Sequence, residues 1–445
     1  MIGAGPAGIT LSRQLIDAGA TVLLLESGGW GENDAAQELN HGDAYGPIVK
    51  HHLRYLRHGR SRHVQGSAIW WERGWCMPFR ALDYEARPWV EHSGWPLRAE
   101  DLAPYEERAA ATLGFEPFGA PQSDGALVRL SYRFPDDPQV FRRMFLELLT
   151  RPGFQVELGA TALALARKGD RVESVRAGRI AGGELQIRAD KFVIAAGGIE
   201  NARLLLLNAS ALGLPSPMVG RFFMEHPHVL AGRVQVPDTE YLRPYMVRGS
   251  QLDVLSLADA AQQEERLLNA SVQLRPLPAT DGAATEGARE CDVYIRAEQA
   301  PNPDSRLALG EQTDRFGCPS PVLHWELLEH DWASVVRTAE LVAFVLERQQ
   351  AAQTTFLISA DAPWPWAPVG PGESTYATWG NHHMGTTRMA RDPAEGVVDP
   401  DCLVHGTTNL FAAGSSVFPT GGCANPTFQI VVLAHRLADR LMTGG

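Results

Sequence analysis

Residues 1–8 read Met1-Ile2-Gly3-Ala4-Gly5-Pro6-Ala7-Gly8, and Gly3, Gly5 and Gly8 keep the G-x-G-x-x-G spacing of a dinucleotide-binding turn. In such a turn the first glycine allows the strand-to-helix reversal. The second lets the backbone approach a pyrophosphate, and the third lets the helix lie close to the sheet. A helix is expected next, with Ile9, Leu11, Leu15 and Ile16 on its apolar side and Gly19 as its stop. Its N-terminus favours phosphate through free N–H groups and the helix dipole. Thr21-Val22-Leu23-Leu24-Leu25 then reads as a short apolar strand ending in Glu26, eighteen positions after Gly8 and near the spacing of an acid that binds a ribose hydroxyl. The fingerprint also sits early, with only Met1-Ile2 where a strand should lead into Gly3. A central strand so short is expected to leave its neighbours unpaired and the core grooved, with the true start upstream or the cofactor poorly held.

Composition bounds the rest. At 445 residues the chain buries a large core and is expected to form two domains. It is 44% hydrophobic and 21% charged, ordinary values for a globular protein. A net charge of −12 and a pI near 5.6 argue against nucleic acid or an anionic membrane as partner. No window holds the long apolar run of a membrane span. No signal peptide is visible, so a cytoplasmic location is expected, with a lost upstream export signal left open. Cys76, Cys291, Cys318, Cys402 and Cys423 show no C-x-x-C spacing, so zinc, an iron–sulfur cluster and a disulfide framework are not suggested.

Along the chain, three segments read as pieces of one nucleotide-binding domain: 1–85, 152–225 and 375–445. The second holds strands at Gln155–Leu158, Arg171–Val175 and Phe192–Ala196, a Gly197-Gly198 break and a helix Ile199–Leu207. The third ends in strand Leu410–Ala413, a loop and a long helix through Ile430, Leu433 and Leu437. Residues 86–151 are expected to be helical, with Leu102–Leu113 and Val140–Leu149 helical by apolar spacing. In the segment 226–374, residues 226–330 alternate like strands (Val229–Val234, Ala270–Leu274) before a helix Ala333–Leu346. These two segments read as a substrate domain with an antiparallel sheet, interleaved with the first. The fold class is α/β, α+β overall.

The C-terminal third carries the chemistry. Asn381-His382-His383-Met384-Gly385-Thr386 sets two histidines before a Gly-Thr turn. Among 14 histidines both are equally readable as ordinary core or surface residues. Asn425 before Pro426 is a candidate N-cap for the last helix, with Pro426 at the first helical position. The same Asn425 is also readable as facing a cofactor.

The fingerprint, Gly197-Gly198-Ile199-Glu200-Asn201-Ala202-Arg203, His382-x-x-Gly385-Thr386 and Asn425-Pro426, in that order, resemble the glucose–methanol–choline (GMC) oxidoreductases. The likeness is closer to the short bacterial branch of sugar, gluconate and polyol dehydrogenases related to pyranose oxidase. Arg87-Pro88-Trp89, Gly220–Pro227, Pro301–Arg306 and Asn409–Pro419 fit that branch too, so the likeness spans nearly the whole chain. It implies a Rossmann-like FAD-binding domain, with pyrophosphate on Gly3, Gly5 and Gly8 and ribose on Glu26. Gly66, Ser67, Gly414, Ser415, Asn425, Pro426 and Thr427 would complete the cofactor contacts. His382 would be the general base for a substrate hydroxyl, Asn425 the donor to its oxygen, and FAD the hydride acceptor. His383 would point elsewhere. No metal is implied.

Where many relatives read Gly-Gly-Thr-Ser-Asn-His-Trp, this chain reads Gln65-Gly66-Ser67-Ala68-Ile69-Trp70-Trp71. Trp70 falls where some relatives carry the histidine that links to flavin, so non-covalent FAD is expected. Trp70, Trp71 and Trp75 read equally as stacking surfaces and as core packing. The implied reaction oxidises a CH–OH group of a sugar, glycoside or polyol. The alternatives are a non-sugar alcohol (aromatic, steroid or natural product), and flavin binding without turnover through a truncated N-terminus. A nicotinamide-dependent dehydrogenase is disfavoured by the Gly414–Asn425 segment. The electron acceptor, whether oxygen, a quinone or a cytochrome, is left open, as is the substrate, whose specificity loops fall in about 237–300.

Overall fold

The computed structural model describes residues 1–46, 55–71, 74–238, 240–277, 289–350, 352–361 and 377–443. The half that carries the glycine fingerprint is a parallel sheet assembled from distant segments. Strand Leu410–Ala412 pairs with Phe192–Ile194, and Val22–Glu26 pairs with Phe154–Leu158, both in parallel. Ile2 bridges the two pairs through Ile194 and Leu25. Its N–H donates to the Val193 carbonyl at 2.9 Å, Ala195 N–H donates to the Ile2 carbonyl at 2.7 Å, and Gly3 N–H donates to the Leu25 carbonyl at 2.8 Å. Both neighbouring strands are therefore paired where Ile2 passes, contrary to the expectation of unpaired neighbours, because Ile2 gives its N–H and carbonyl to one side while the Met1 carbonyl, accepting Leu25 N–H at 2.8 Å, and the Gly3 N–H serve the other.

Helix Pro6–Asp17 buries Ile9, Leu11, Leu15 and Ile16, and Gly19 follows at φ +86°. It packs with the last helix, Thr427–Thr443, which in turn packs with Ala99–Leu113, all around one apolar core. Helix Gly197–Leu212 corrects the expected glycine break: Gly197 and Gly198 form its first turn. A Cβ on Gly198 would lie 2.4 Å from the His383 carbonyl, so glycine marks a close approach to the histidine loop rather than a stop.

The second half is built on an eight-stranded antiparallel sheet. Its path runs Gln353–Phe356, Pro227–Val236, Arg289–Ala297, Ala270–Pro276, Gln251–Leu257, Leu127–Arg133 and Gln122–Asp124, with Ala377–Trp379 also pairing Pro227–Val236. Strand Leu127–Arg133 corrects the helical reading of 86–151. Val128, Leu130 and Tyr132 are buried and alternate with Arg129, Ser131 and Arg133, a period of two that a helix does not satisfy. Val229, Val272, Leu274, Val293 and Ile295 face helix Glu329–Gln350 and form a second core with its Val335, Ala339 and Leu346. That helix starts earlier than its apolar spacing predicts. Asp331 accepts the N–H groups of Leu328 and Ala300, both at 2.7 Å, and fixes its first turn.

No helix among the described residues is long and apolar enough to cross a membrane. Nor do the described residues hold three His, Cys, Asp or Glu side chains grouped to bind a metal.

Candidate active site

A cavity of about 590 Å³ runs from the fingerprint to the histidine loop, between the parallel and antiparallel sheets. Gly3, Gly5, Glu26, Gly66, Ser67, His382, Gly414, Ser415, Asn425, Pro426 and Thr427 all line it. Gly8 does not, and its place explains why. A Cβ on Gly8 would fall 1.9 Å from the Gly3 carbonyl oxygen, so it serves the close turn between strand and helix. A Cβ on Gly3, at φ +106°, would meet the Ala195 carbonyl at 2.5 Å. A Cβ on Gly5 would meet nothing within 4 Å: there the backbone is bare toward the cavity.

Glu26 ends its strand with both carboxylate oxygens engaged. Oε2 accepts Ala4 N–H at 2.9 Å and Oε1 accepts Gly28 N–H at 2.8 Å. A carboxylate has about four acceptor positions, so capacity for a hydroxyl remains. Ser67 Oγ accepts the Ser61 N–H at 3.2 Å, and Ser415 Oγ donates to the His383 carbonyl at 2.7 Å. The bare turn, the helix N-terminus, the acid and a cavity of this length fit an ADP-containing cofactor.

At the histidine-loop end of the cavity, His382 Nδ1 lies 2.8 Å from His226 Nδ1 and His382 Nε2 lies 3.2 Å from Asn425 Nδ2. The proton positions follow from the far side of His226. Its Nε2 faces the carbonyls of Gly422 at 2.9 Å and Gly421 at 3.3 Å, which only accept, so Nε2 carries the hydrogen. Burial pushes the His226 pKa down to about 4, so the ring is neutral and its Nδ1 is an acceptor. His382 therefore donates from Nδ1 and keeps Nε2 as a free base, the nitrogen that meets the Asn425 amide. Burial first, then His226 and the positive charge of Arg296, hold the His382 pKa well below the ordinary imidazole value.

Glu225 fixes the backbone beneath this pair. Its Oε1 accepts the N–H of His226 at 2.9 Å and of His382 at 2.6 Å, and burial pushes its pKa up to about 7. His383 turns the other way, its Nε2 3.0 Å from the Tyr55 hydroxyl, which donates to Glu225 Oε2 at 2.9 Å.

Asn425 does not cap the last helix. The Pro426 carbonyl accepts the Ile430 N–H at 2.9 Å, so Pro426 occupies the cap position and Thr427 begins the helix. The Asn425 amide is committed to His382 instead, and its Oδ1 is buried without a partner. Trp70, Trp71 and Trp75 all line the cavity; Trp70 is 42% exposed, while Trp71 also packs on Phe141 and Trp75 on Tyr132 and Phe134.

Sequence reasoning missed several cavity residues. His226 lay in the quoted Gly220–Pro227 segment, but its role depends on carbonyls some 195 positions away. Arg60 and Arg62 reach the cavity while paired with Glu200. His228, Arg275, Tyr294 and Arg296 enter from the antiparallel sheet, where period-two alternation was the only signal.

Residues 301–434 match a family model described as GMC oxidoreductase. The chain is similar to the fructose dehydrogenase large subunit of Gluconobacter japonicus, 25% identical over 58% of this chain and 48% of that one. It thus spans about half the length of that relative. It is also similar to 2-methyl-1,2-propanediol dehydrogenase of Mycolicibacterium austroafricanum, 23% identical over 99% of this chain and 94% of the other. Pyridoxine 4-oxidase from "Mesorbium loti" shares the fold at a TM-score of 0.61 and 17% identity, covering 99% of this chain and 98% of that one. The sequence motifs, the family match over the histidine and asparagine segments, and the shared architecture point the same way: residues 301–434 match the GMC oxidoreductases, and the chain along its length is similar to them in sequence and fold.

Proposed function

We propose that this protein oxidises a CH–OH group of a sugar, glycoside or polyol, with FAD held non-covalently along the cavity from Gly3, Gly5 and Glu26 to Asn425. The observation that carries the proposal is the His226–His382–Asn425 chain, which leaves one unprotonated imidazole nitrogen beside one amide donor. A substrate hydroxyl entering between His382 Nε2 and Asn425 Nδ2 donates to the first and accepts from the second. Its proton passes to His382 Nε2, while the Asn425 amide stabilises the charge that develops on oxygen. His382 Nδ1–H stays bonded to His226 throughout and keeps the ring in place. Bound FAD supplies the acceptor for the hydride leaving the carbinol carbon. The free Oδ1 of Asn425 accepts from a second donor on substrate or cofactor, which would satisfy an otherwise orphaned buried atom.

Non-covalent attachment is supported by Trp70, whose indole offers no nucleophilic nitrogen where some relatives carry the linking histidine. Acid precipitation of the holoprotein should leave a colourless pellet and a yellow supernatant; a yellow pellet overturns this part. The reaction itself is tested by anaerobic flavin bleaching across paired sugars, polyols and non-sugar alcohols. At least one sugar or polyol should bleach the wild type. His382→Ala should retain FAD and slow bleaching by ~10²-fold or more. A His382→Ala protein reduced at the wild-type rate removes His382 from the mechanism.

A further inference from the structure

The wall of the cavity opposite Asn425 is one face of the antiparallel sheet. His228 pairs with Arg296 across strands, Gln273 with Tyr294, and Arg275 with Asp292, so these side chains share a face. Two of them are guanidinium groups. Arg275 Nε and Arg296 Nη1 both donate to the single neutral oxygen Oε1 of Gln273, at 3.0 and 3.2 Å. Neither arginine has a carboxylate within ion-pair distance among the described residues. Asp292, next along the face, is paired with Arg233 at 3.1 Å.

Arg296 is buried, and its guanidinium lies 4.7 Å from the Trp75 ring centroid. That of Arg275 lies 3.4 Å from the Tyr294 centroid. Aromatic faces offset only part of the desolvation of a cation, and two like charges sharing one neutral acceptor repel. Of the protein's other buried arginines, Arg87 has Glu298, Arg60 and Arg62 have Glu200, Arg203 has Asp314 and Arg436 has Asp401, while Arg388, over the Phe222 ring, bonds the His92 carbonyl and lies outside this cavity. The cavity-facing pair thus stands by the base with no carboxylate at ion-pair distance among the described residues, Asp292 acting on Arg275 only from farther off. The His228 and His382 rings are 5.9 Å apart, and His228 Nε2 is itself buried without a partner.

We propose that the alcohol oxidised here carries an anionic group, a carboxylate or a phosphate, seated against Arg275 and Arg296 while its hydroxyl meets His382. Planar guanidinium donors suit both oxyanions, and the unpartnered His228 Nε2 adds a further polar contact. This names the substrate class within the proposed alcohol oxidation and rests on that reading.

The test uses flavin-loaded protein under anaerobic conditions with three alcohols of equal chain length: an aldonate, a polyol phosphate and the neutral polyol. At least one charged alcohol should half-saturate flavin reduction at a concentration tenfold or more below the neutral one; the arm that does so identifies the group. Arg296→Gln and Arg275→Gln should each raise that concentration at least tenfold, and Arg296→Lys should recover part of the loss. A second readout needs no turnover. Acetate and inorganic phosphate are titrated into the oxidised holoprotein, and the flavin absorbance change should be at least tenfold weaker in affinity in Arg296→Gln. Equal half-saturation by charged and neutral alcohols, or a charged preference surviving both glutamine variants, overturns the inference and leaves alcohol oxidation standing. Anion binding that depends on Arg296 without bleaching by any alcohol does the reverse.

Discussion

At the scale of single residues, the proposed chemistry depends on which nitrogen of His382 is bare. His226 decides it, because its own Nε2 hydrogen is held by the Gly421 and Gly422 carbonyls and only Nδ1 remains to accept. Replacing it by leucine leaves His382 Nδ1–H without an acceptor and lets the ring adopt the wrong tautomer. His226→Leu should keep its FAD content and lose ~10²-fold in anaerobic flavin reduction; a loss of less than twofold would show that the tautomer is set elsewhere. The lowered pKa of His382 also fixes a sign. An imidazole at the ordinary value near 6.5 is only about one quarter neutral at pH 6. A depressed value keeps the base form present at pH 6 and loses it only further down, so the reduction rate should stay within twofold between pH 7.5 and 6. Glu225 titrates in that window, at about 7, so the profile is repeated in Glu225→Gln, where the flat limb should persist. That His382 and Asn425 stand together at the cavity was legible because their neighbours form short motifs. His226 was not, since a tautomer is set by carbonyls from the other end of the chain.

At the scale of elements, the fingerprint was the most readable part, and the structure divides its glycines by task. Gly5 has an ordinary φ of −84° and open space where a Cβ would go. Gly5→Ala should therefore leave the melting temperature of the flavin-free protein within about 1–2 °C of wild type, as for a strain-free surface change. FAD occupancy should fall, because the added methyl stands where a pyrophosphate approaches. Gly8→Ala places its methyl into the Gly3 carbonyl and should destabilise even the flavin-free protein, by about 1–3 kcal/mol. Thermal unfolding with and without FAD separates the two; equal behaviour of both variants would refute the division. The strand Leu127–Arg133 shows what local reading loses. Its period of two was present in the sequence, but it lies between two genuine helices, Ala99–Leu113 and Val140–Leu148, and was absorbed into their character. Its local partner, Gln122–Asp124, is only three residues long, and its long partner strand, Gln251–Leu257, is more than a hundred positions away.

At the scale of the molecule, the cavity exists because two apolar cores meet without merging, one under the parallel sheet and one under the antiparallel sheet. Between their segments stands an ion pair that no sequence pattern announced. Arg87 Nη1 and Nη2 donate to Glu298 Oε2 and Oε1 at 2.7 and 2.6 Å, with both side chains fully buried and 211 positions apart. Glu298 Oε2 also accepts Asn269 N–H at 2.9 Å, which ties the pair to the end of the sheet that carries Arg296. A buried pair contributes little net stability against an apolar replacement, but breaking it strands a charge. Arg87→Met should therefore cost about 3–5 kcal/mol. Arg87→Met combined with Glu298→Gln should recover most of that loss, since the glutamine carbonyl still accepts Asn269 N–H and no charge is left behind. Urea unfolding of the three proteins, followed by tryptophan fluorescence, measures the difference. If the double variant is no more stable than Arg87→Met alone, the cost lies in lost packing around Arg87 and not in the stranded carboxylate.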